Sequence, residues 1–152
     1  MSRFCAPCAD SGMAEEANGG EPLMYADERR YPHGRITSEI AGAFYRVYNE
    51  LGRGFVEIVY RRALAMELAE RGLKVRTEAP LVVRFRGVVV GAFRADLLVE
   101  GAVIVEVKAC RALTPEHAPQ VLNYLRASGL EVGLLVNFGP TPTLRRFAFT
   151  PS

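Results

Sequence analysis

Three charged residues interrupt the most apolar stretch of the chain, "RADLLVEGAVIVEVKA" at residues 94–109: Asp96, Glu106 and Lys108. Ionised groups are costly to bury unless they are paired or bound to a cation. Side chains alternate along a strand, so Glu106 and Lys108 share one face while Val103, Val105 and Val107 share the other. A hairpin turning at Glu100-Gly101 can bring Asp96 alongside them. Two adjacent carboxylates repel, and a divalent cation relieves that repulsion. An oxygen donor set without histidine or cysteine favours Mg²⁺ or Mn²⁺ over Zn²⁺. A lysine beside such a site orients or deprotonates a water, or steadies developing negative charge. Together these groups suit metal-assisted hydrolysis of a phosphodiester. The same residues also fit a cross-strand salt bridge between Lys108 and either carboxylate, and residue types alone leave both readings open.

Helices and strands must position these groups. Ile40, Phe44, Val47, Tyr48 and Leu51 recur at helical spacing and predict a helix over 37–51, broken by Gly52 and Gly54. Val56, Val59, Tyr60, Ala63, Leu64 and Leu68 predict a second helix over 55–71, with Gly72 as its left-handed cap. The period then changes. Valine-rich runs at 81–85, 88–92, 95–100 and 103–109, punctuated by Gly87, Gly91 and Gly101, predict four antiparallel strands. Thr114-Pro115-Glu116 is a helix start with Thr114 as cap, and that helix is expected to end at Gly129. Strands are expected at 132–137 and 144–149. The order describes an α/β domain on a small mixed sheet flanked by helices.

The stretch "GFVEIVY" at 54–60 is a G-x-x-E-x-x-Y signature. The chain resembles the small bacterial proteins named for that motif, a GxxExxY family within the PD-(D/E)XK nuclease superfamily. The resemblance covers about 36 to 139 and includes "NELGRGFVE", "RADLLVEGAVIVEVKA", "LTPEHAPQVLNYL" and "GLLVNFG" in the expected order. It implies a restriction-endonuclease-like αβββαβ core with metal-dependent chemistry at the central hairpin. Asp96 and Glu106 would then be metal ligands, with the Val107 carbonyl as a further one, and Lys108 the catalytic lysine. Glu57 would bind metal directly or through water. Gln120 and Tyr124 match a Q-x-x-x-Y element that orients the lysine or contacts the nucleic-acid backbone.

Taken by themselves, Glu57, Tyr60 and Leu64 share a helical face, as do Gln120 and Tyr124. Glu57 also suits the positive end of its helix dipole, Tyr124 an amphipathic core, and Gln120 a solvated position. Tyr48 stands where relatives commonly carry histidine, and His117 is expected to make a local hydrogen bond.

Composition bounds the rest. The chain has 152 residues, 49% hydrophobic and 24% charged, with a net charge of +2, as one soluble domain would. No apolar run is long enough to span a membrane, no signal peptide is evident, and a cytoplasmic location is expected. Residues 1–31 lack periodicity and read as a flexible tail, leaving one nuclease-like domain over 32–152. Cys5, Cys8 and Cys110 are too few for a disulfide framework or a four-thiolate site. Lysine occurs only at Lys74 and Lys108, so arginine is the default cation. Arg84, Arg86 and Arg94 cluster on the first strands and are candidate phosphate contacts, with Arg111, Arg145 and Arg146 as a basic rim. The expected function is Mg²⁺-dependent (or Mn²⁺-dependent) hydrolysis of DNA, with RNA as the other substrate considered. The competing reading is a catalytically inactive nuclease-fold module that binds nucleic acid or a partner protein. A homo-oligomeric state is left open.

Overall fold

The structure, a computed structural model, describes residues 32–150. The expected tail at 1–31, with Cys5 and Cys8, lies outside the described residues. Helices α1 (Gly34–Leu51) and α2 (Glu57–Glu70) lead into strands β1 (Val75–Phe85), β2 (Val88–Val99) and β3 (Val103–Lys108). Helix α3 (His117–Ser128) then crosses to β4 (Val132–Phe138), and β5 (Pro142–Ala148) follows. The five strands lie in sequence order; β3 and β4 are parallel and every other pair is antiparallel. From α2 to β4 the elements run αβββαβ, with α1 and β5 added at the ends.

The sheet is covered on both faces. Ile40, Ala43, Phe44 and Val47 of α1 and Tyr60, Leu64 and Leu68 of α2 pack with Val103, Val105 and Val107 in one core. Ala118, Val121, Tyr124 and Leu125 of α3 pack with Ile104, Leu135 and Phe147 in the other. β3 and β4 are therefore buried almost throughout, which is why they read as continuous apolar runs rather than alternating ones. The expected division of β3 holds: its valines seal the α1–α2 side. The first core is keyed by Phe138, whose ring stacks on Tyr60 at 4.2 Å and meets Phe44 edge-on at 4.8 Å.

Two expectations need correction. Gly91 is not a turn: it pairs with Val83 inside a continuous β2, so three strands precede α3 rather than four, and the first begins at Val75. The real turn is Arg86-Gly87, both with positive φ (53° and 81°), as a tight two-residue hairpin requires. The absence of a side chain makes a glycine look like punctuation, whereas pairing to β1 carries the strand through it. Thr114 is not the cap of α3 either. The helix is capped at Glu116; the Thr114 hydroxyl donates to the Glu116 carboxylate (2.6 Å) and its N–H donates to His117 Nδ1 (3.0 Å). The local bond expected of His117 is thus present, and it closes a turn ahead of the helix.

Candidate metal centre at the β2–β3 opening

The β2–β3 ladder pairs Val99 with Val103, Leu98 with Ile104 and Leu97 with Val105, and stops there. On the other edge of β2, Leu97 pairs with Thr77 and Ala95 with Ala79, with no rung between Glu78 and Asp96. Glu78 has a φ of 50°. Ala95 packs in the α3 layer and Leu97 in the α1–α2 layer, so strand alternation breaks at Asp96. Carboxylates take over where the backbone rungs end. Asp96 Oδ2 accepts the Val107 N–H at 2.8 Å, and Glu106 Oε2 accepts the Asp96 N–H at 3.1 Å.

Glu106 is only 3% exposed. Burial, followed by the Asp96 charge, pushes its carboxyl up to about 8, while the Asp96 N–H and the Lys108 ammonium pull the other way. Burial therefore favours the protonated form of Glu106. A buried acid that ionises only when positive charge arrives, beside a second carboxylate and with oxygen donors alone, fits Mg²⁺ or Mn²⁺. Among the described residues no group of three or more His, Cys, Asp or Glu side chains converges, so these two carboxylates are the pair brought together.

Asp96 does have a cationic partner, and it is not Lys108. Arg61 of α2 lies 3.3 Å from Asp96 Oδ1 and reaches Glu78 at 3.1 Å, and Glu78 in turn holds Arg94 at 3.2 Å. The cross-strand bridge open from sequence is thus replaced by a chain Asp96–Arg61–Glu78–Arg94. Sequence reasoning passed over Arg61, although its i,i+4 spacing from Glu57 puts it on the Glu57 face. Glu78 lies before the strand expected at 81–85 and inside the observed β1, which begins at Val75.

Lys108 makes no ion pair among the described residues. Its strand position is fixed from β4, where Asn137 is its parallel partner. Asn137 is 1% exposed; its Oδ1 accepts the Cys110 N–H at 2.9 Å and its Nδ2 donates to the Cys110 carbonyl at 3.0 Å. Gly139 completes this latch: a Cβ there would stand 2.2 Å from the Cys110 carbonyl oxygen. Tyr48 donates its hydroxyl to the Gly139 carbonyl at 2.9 Å. The latch was not read from sequence; the quoted "NFG" is its only signal.

The remaining residues fall around this centre. Glu57 opens α2, exposed and unclustered with the acidic pair, its charge felt at Cys110 and His117. The Tyr60 hydroxyl donates to the Gly52 carbonyl at 2.6 Å and accepts the Phe55 N–H at 3.2 Å, pinning the turn that carries Glu57. Gln120 Nε2 donates to the Tyr124 hydroxyl at 3.2 Å, so its amide is tied to the tyrosine rather than to Lys108. Tyr124 is largely buried, and its hydroxyl pKa is raised by burial and then by the nearby Glu106 charge. Arg84 is exposed on β1, Arg86 sits in the turn over Phe85 at 4.7 Å, and Arg94 is engaged by Glu78. Arg86 thus shares no strand face with Arg84. Arg146 is no rim residue: it is 7% exposed and donates to the Pro32 carbonyl at 3.1 Å.

A mixed sheet in αβββαβ order, opened at its central hairpin around an acidic pair, is the restriction-endonuclease-like class of α/β domain. The chain belongs to the PD-(D/E)XK nuclease superfamily, whose family model matches residues 34–147. Asp96 and Glu106-Val107-Lys108 read as the D and E-X-K of that name, with Ala95 in place of its proline. The fold is also similar to that of the crystal structure of SSO0001, at a TM-score of 0.50 and 18% identity. That alignment covers 86% of this chain and 64% of the other, so the chain spans less than two thirds of that protein. At this identity the likeness speaks to the fold alone. A search of the curated proteins gave no match. Among the described residues no helix is long and apolar enough to cross a membrane.

Proposed function

We propose that this chain is a nuclease of the GxxExxY type that hydrolyses phosphodiester bonds of DNA with the help of Mg²⁺ or Mn²⁺. The observation that carries this reading is the opened rung at Asp96, where two carboxylates share one stretch of backbone and one of them, Glu106, is buried without an ion pair among the described residues. Superfamily membership supports it. Asp96 and Glu106 would hold the cation, and Glu57, which stands apart from them, would contribute to it only through water. When bound, the cation supplies Lewis-acid polarisation of a phosphoryl oxygen and charge neutralisation. Lys108, free of ion pairs among the described residues, orients the attacking water and steadies the charge growing on the phosphoryl oxygens. The water oxygen bonds to phosphorus and gives up a proton to solvent as the bond to the leaving oxygen breaks, and the leaving oxygen takes up a proton from solvent. Gln120 and Tyr124, already bonded to each other, line the approach, and Arg84, Arg86 and Arg94 supply phosphate contacts.

Incubation with single-stranded, duplex and branched DNA and with RNA, with Mg²⁺ or Mn²⁺, is the direct test. Cleavage that persists in Asp96→Ala and Lys108→Ala would belong to a contaminant and remove the support for this mechanism. The stand-off of Glu57 favours a second reading, a module that keeps the fold without catalysis. Calorimetric titration separates the two: nucleic-acid binding without any Mg²⁺ or Mn²⁺ binding selects the module.

A further inference from the structure

The outer half of the β1–β2 hairpin is apolar and bare. Phe85 is 58% exposed, Val88 62%, Val90 60% and Phe93 47%. From 81 to 93 the hairpin carries two charged residues, Arg84 and Arg86, and no carboxylate. A strand surface of this kind is unusual unless something covers it. Between the hairpin and α3 lies a cleft of about 570 Å³, with Val82, Arg84 and Phe93 on one wall and Asn123 and Arg126 on the other. Its charged lining is arginine alone. Beside it the Phe93 ring lies 6.0 Å from that of Tyr124, on α3.

From this juxtaposition we infer that the cleft is a track for single-stranded nucleic acid, feeding the Asp96–Glu106 opening past Phe93 and Tyr124. The inference deepens the nuclease reading above and rests on it for the direction of travel. Unpaired bases present flat faces, which aromatic rings take up regardless of sequence, while arginines follow the phosphates. Both requirements are met on one surface: Phe93 for a base, Arg84 and Arg126 for the backbone. A cleft of this volume is the size of a small-ligand site, with room for a few unpaired nucleotides and not for a helix. Phe93 precedes Asp96 by three strand residues, about 10 Å at ~3.3 Å per residue, so a base stacked there leaves a phosphate near the acidic pair. A protein partner or a second copy would gain from the bare valines and from the free edge of β1. Neither accounts for a cleft whose charged lining is arginine without a carboxylate.

Fluorescence anisotropy with a labelled oligothymidine and with a duplex of the same length, on the full chain in EDTA, reads binding without cleavage. The single strand should bind the tighter, with affinity falling steeply as salt rises. Phe93→Leu, which keeps apolar area but not the ring, should weaken it about fivefold or more; Phe93→Tyr should keep wild-type binding, and Arg126→Ala should lower both affinity and salt slope. Circular dichroism and thermal midpoints matching wild type confirm that the variants are folded. Equal affinity for duplex, or Phe93→Leu binding as wild type does, overturns the inference. So does a wild-type dimer in sedimentation that Phe93→Leu disperses, which would give the face to a second copy. Oligothymidine binding that depends on Phe93 with no cleavage in Mg²⁺ or Mn²⁺ leaves the track standing and removes the nuclease reading. Cleavage of single strands unaffected by Phe93→Leu does the reverse.

Discussion

Asp96 and Glu106 are cross-laced: each carboxylate accepts a main-chain N–H from the opposite strand, at 2.8 Å from Val107 and 3.1 Å from Asp96 itself. The acids thus stand in for the ladder rungs that the opened sheet lacks, and they are held in place before any cation arrives. The cost of that arrangement is charge. Glu106, buried beside Asp96, keeps its proton up to about pH 8, and that proton gives the site two measurable signatures.

The first is in stability. The folded carboxyl at about 8 lies above its ordinary value of 4.5, so between these pH values the folded state binds more protons than the unfolded one. Stability from this group is complete below about pH 4.5 and is lost as pH rises through about 8. At about 1.36 kcal/mol per unit, the loss is on the order of a few kcal/mol. Urea titrations in EDTA from pH 5 to 9 should show wild type weakening with pH and Glu106→Gln much flatter. A Glu106→Gln profile parallel to wild type would mean that this proton is not there.

Binding of a divalent cation must expel the same proton, which gives the second signature. Mg²⁺ or Mn²⁺ affinity should rise about tenfold per pH unit below pH 8 and level off above it. Calorimetry in two buffers of different ionisation enthalpy should count close to one proton released at pH 7. Affinity that is flat from pH 6 to 8 would exclude Glu106 as a ligand.

The contrast between β3 and Asp96 shows what a sequence can carry. Period-2 alternation correctly places Val103, Val105 and Val107 toward α1 and α2, because β3 is regular and sealed on both sides. At Asp96 alternation fails: Ala95 and Leu97 face different layers, and an irregular rung has no local signal. The cation on Asp96 was equally hidden. Lys108 was the obvious partner by strand spacing, yet Arg61 reaches the carboxylate from α2, a contact that exists only once helix and sheet have packed. Asn137 read as part of an apolar strand, and its two bonds to Cys110 belong to the parallel β3–β4 register. Helix boundaries and core faces are written in periodicity, whereas the polar contacts that shape the centre depend on packing between elements.

Arg61 offers a test of how Asp96 is held. Its side chain is 19% exposed and its guanidinium bridges Asp96 to Glu78, so Arg61→Ala leaves two carboxylates without their shared cation. We expect a stability loss of about 1–3 kcal/mol and nuclease activity reduced tenfold or more, with Arg61→Lys restoring stability only partly, because an ammonium cannot fork to both acids. Thermal melts and initial rates on one substrate check both. An Arg61→Ala protein as stable and active as wild type would make the bridge incidental.

Lys108 lies two residues before Cys110, which a latch on β4 holds in place. Asn137 grips Cys110 from both sides, and Gly139 leaves the 2.2 Å approach that a methyl group would occupy. In Gly139→Ala the Cys110 carbonyl, a backbone atom, has to move, and the end of β3 moves with it. Asn137→Asp keeps the acceptor but loses the Nδ2 donor, leaving the Cys110 carbonyl unpaired at a cost of about 1–3 kcal/mol. Both variants should melt lower than wild type. The decisive quantity is the rate under conditions where each is fully folded. Because the latch anchors the end of the strand that carries Lys108, kcat should fall at least tenfold while Mg²⁺ affinity, expected to depend on Asp96 and Glu106, stays within about twofold. Loss of cation affinity in step with kcat would show instead that the latch supports the whole opening and has no particular hold on the lysine.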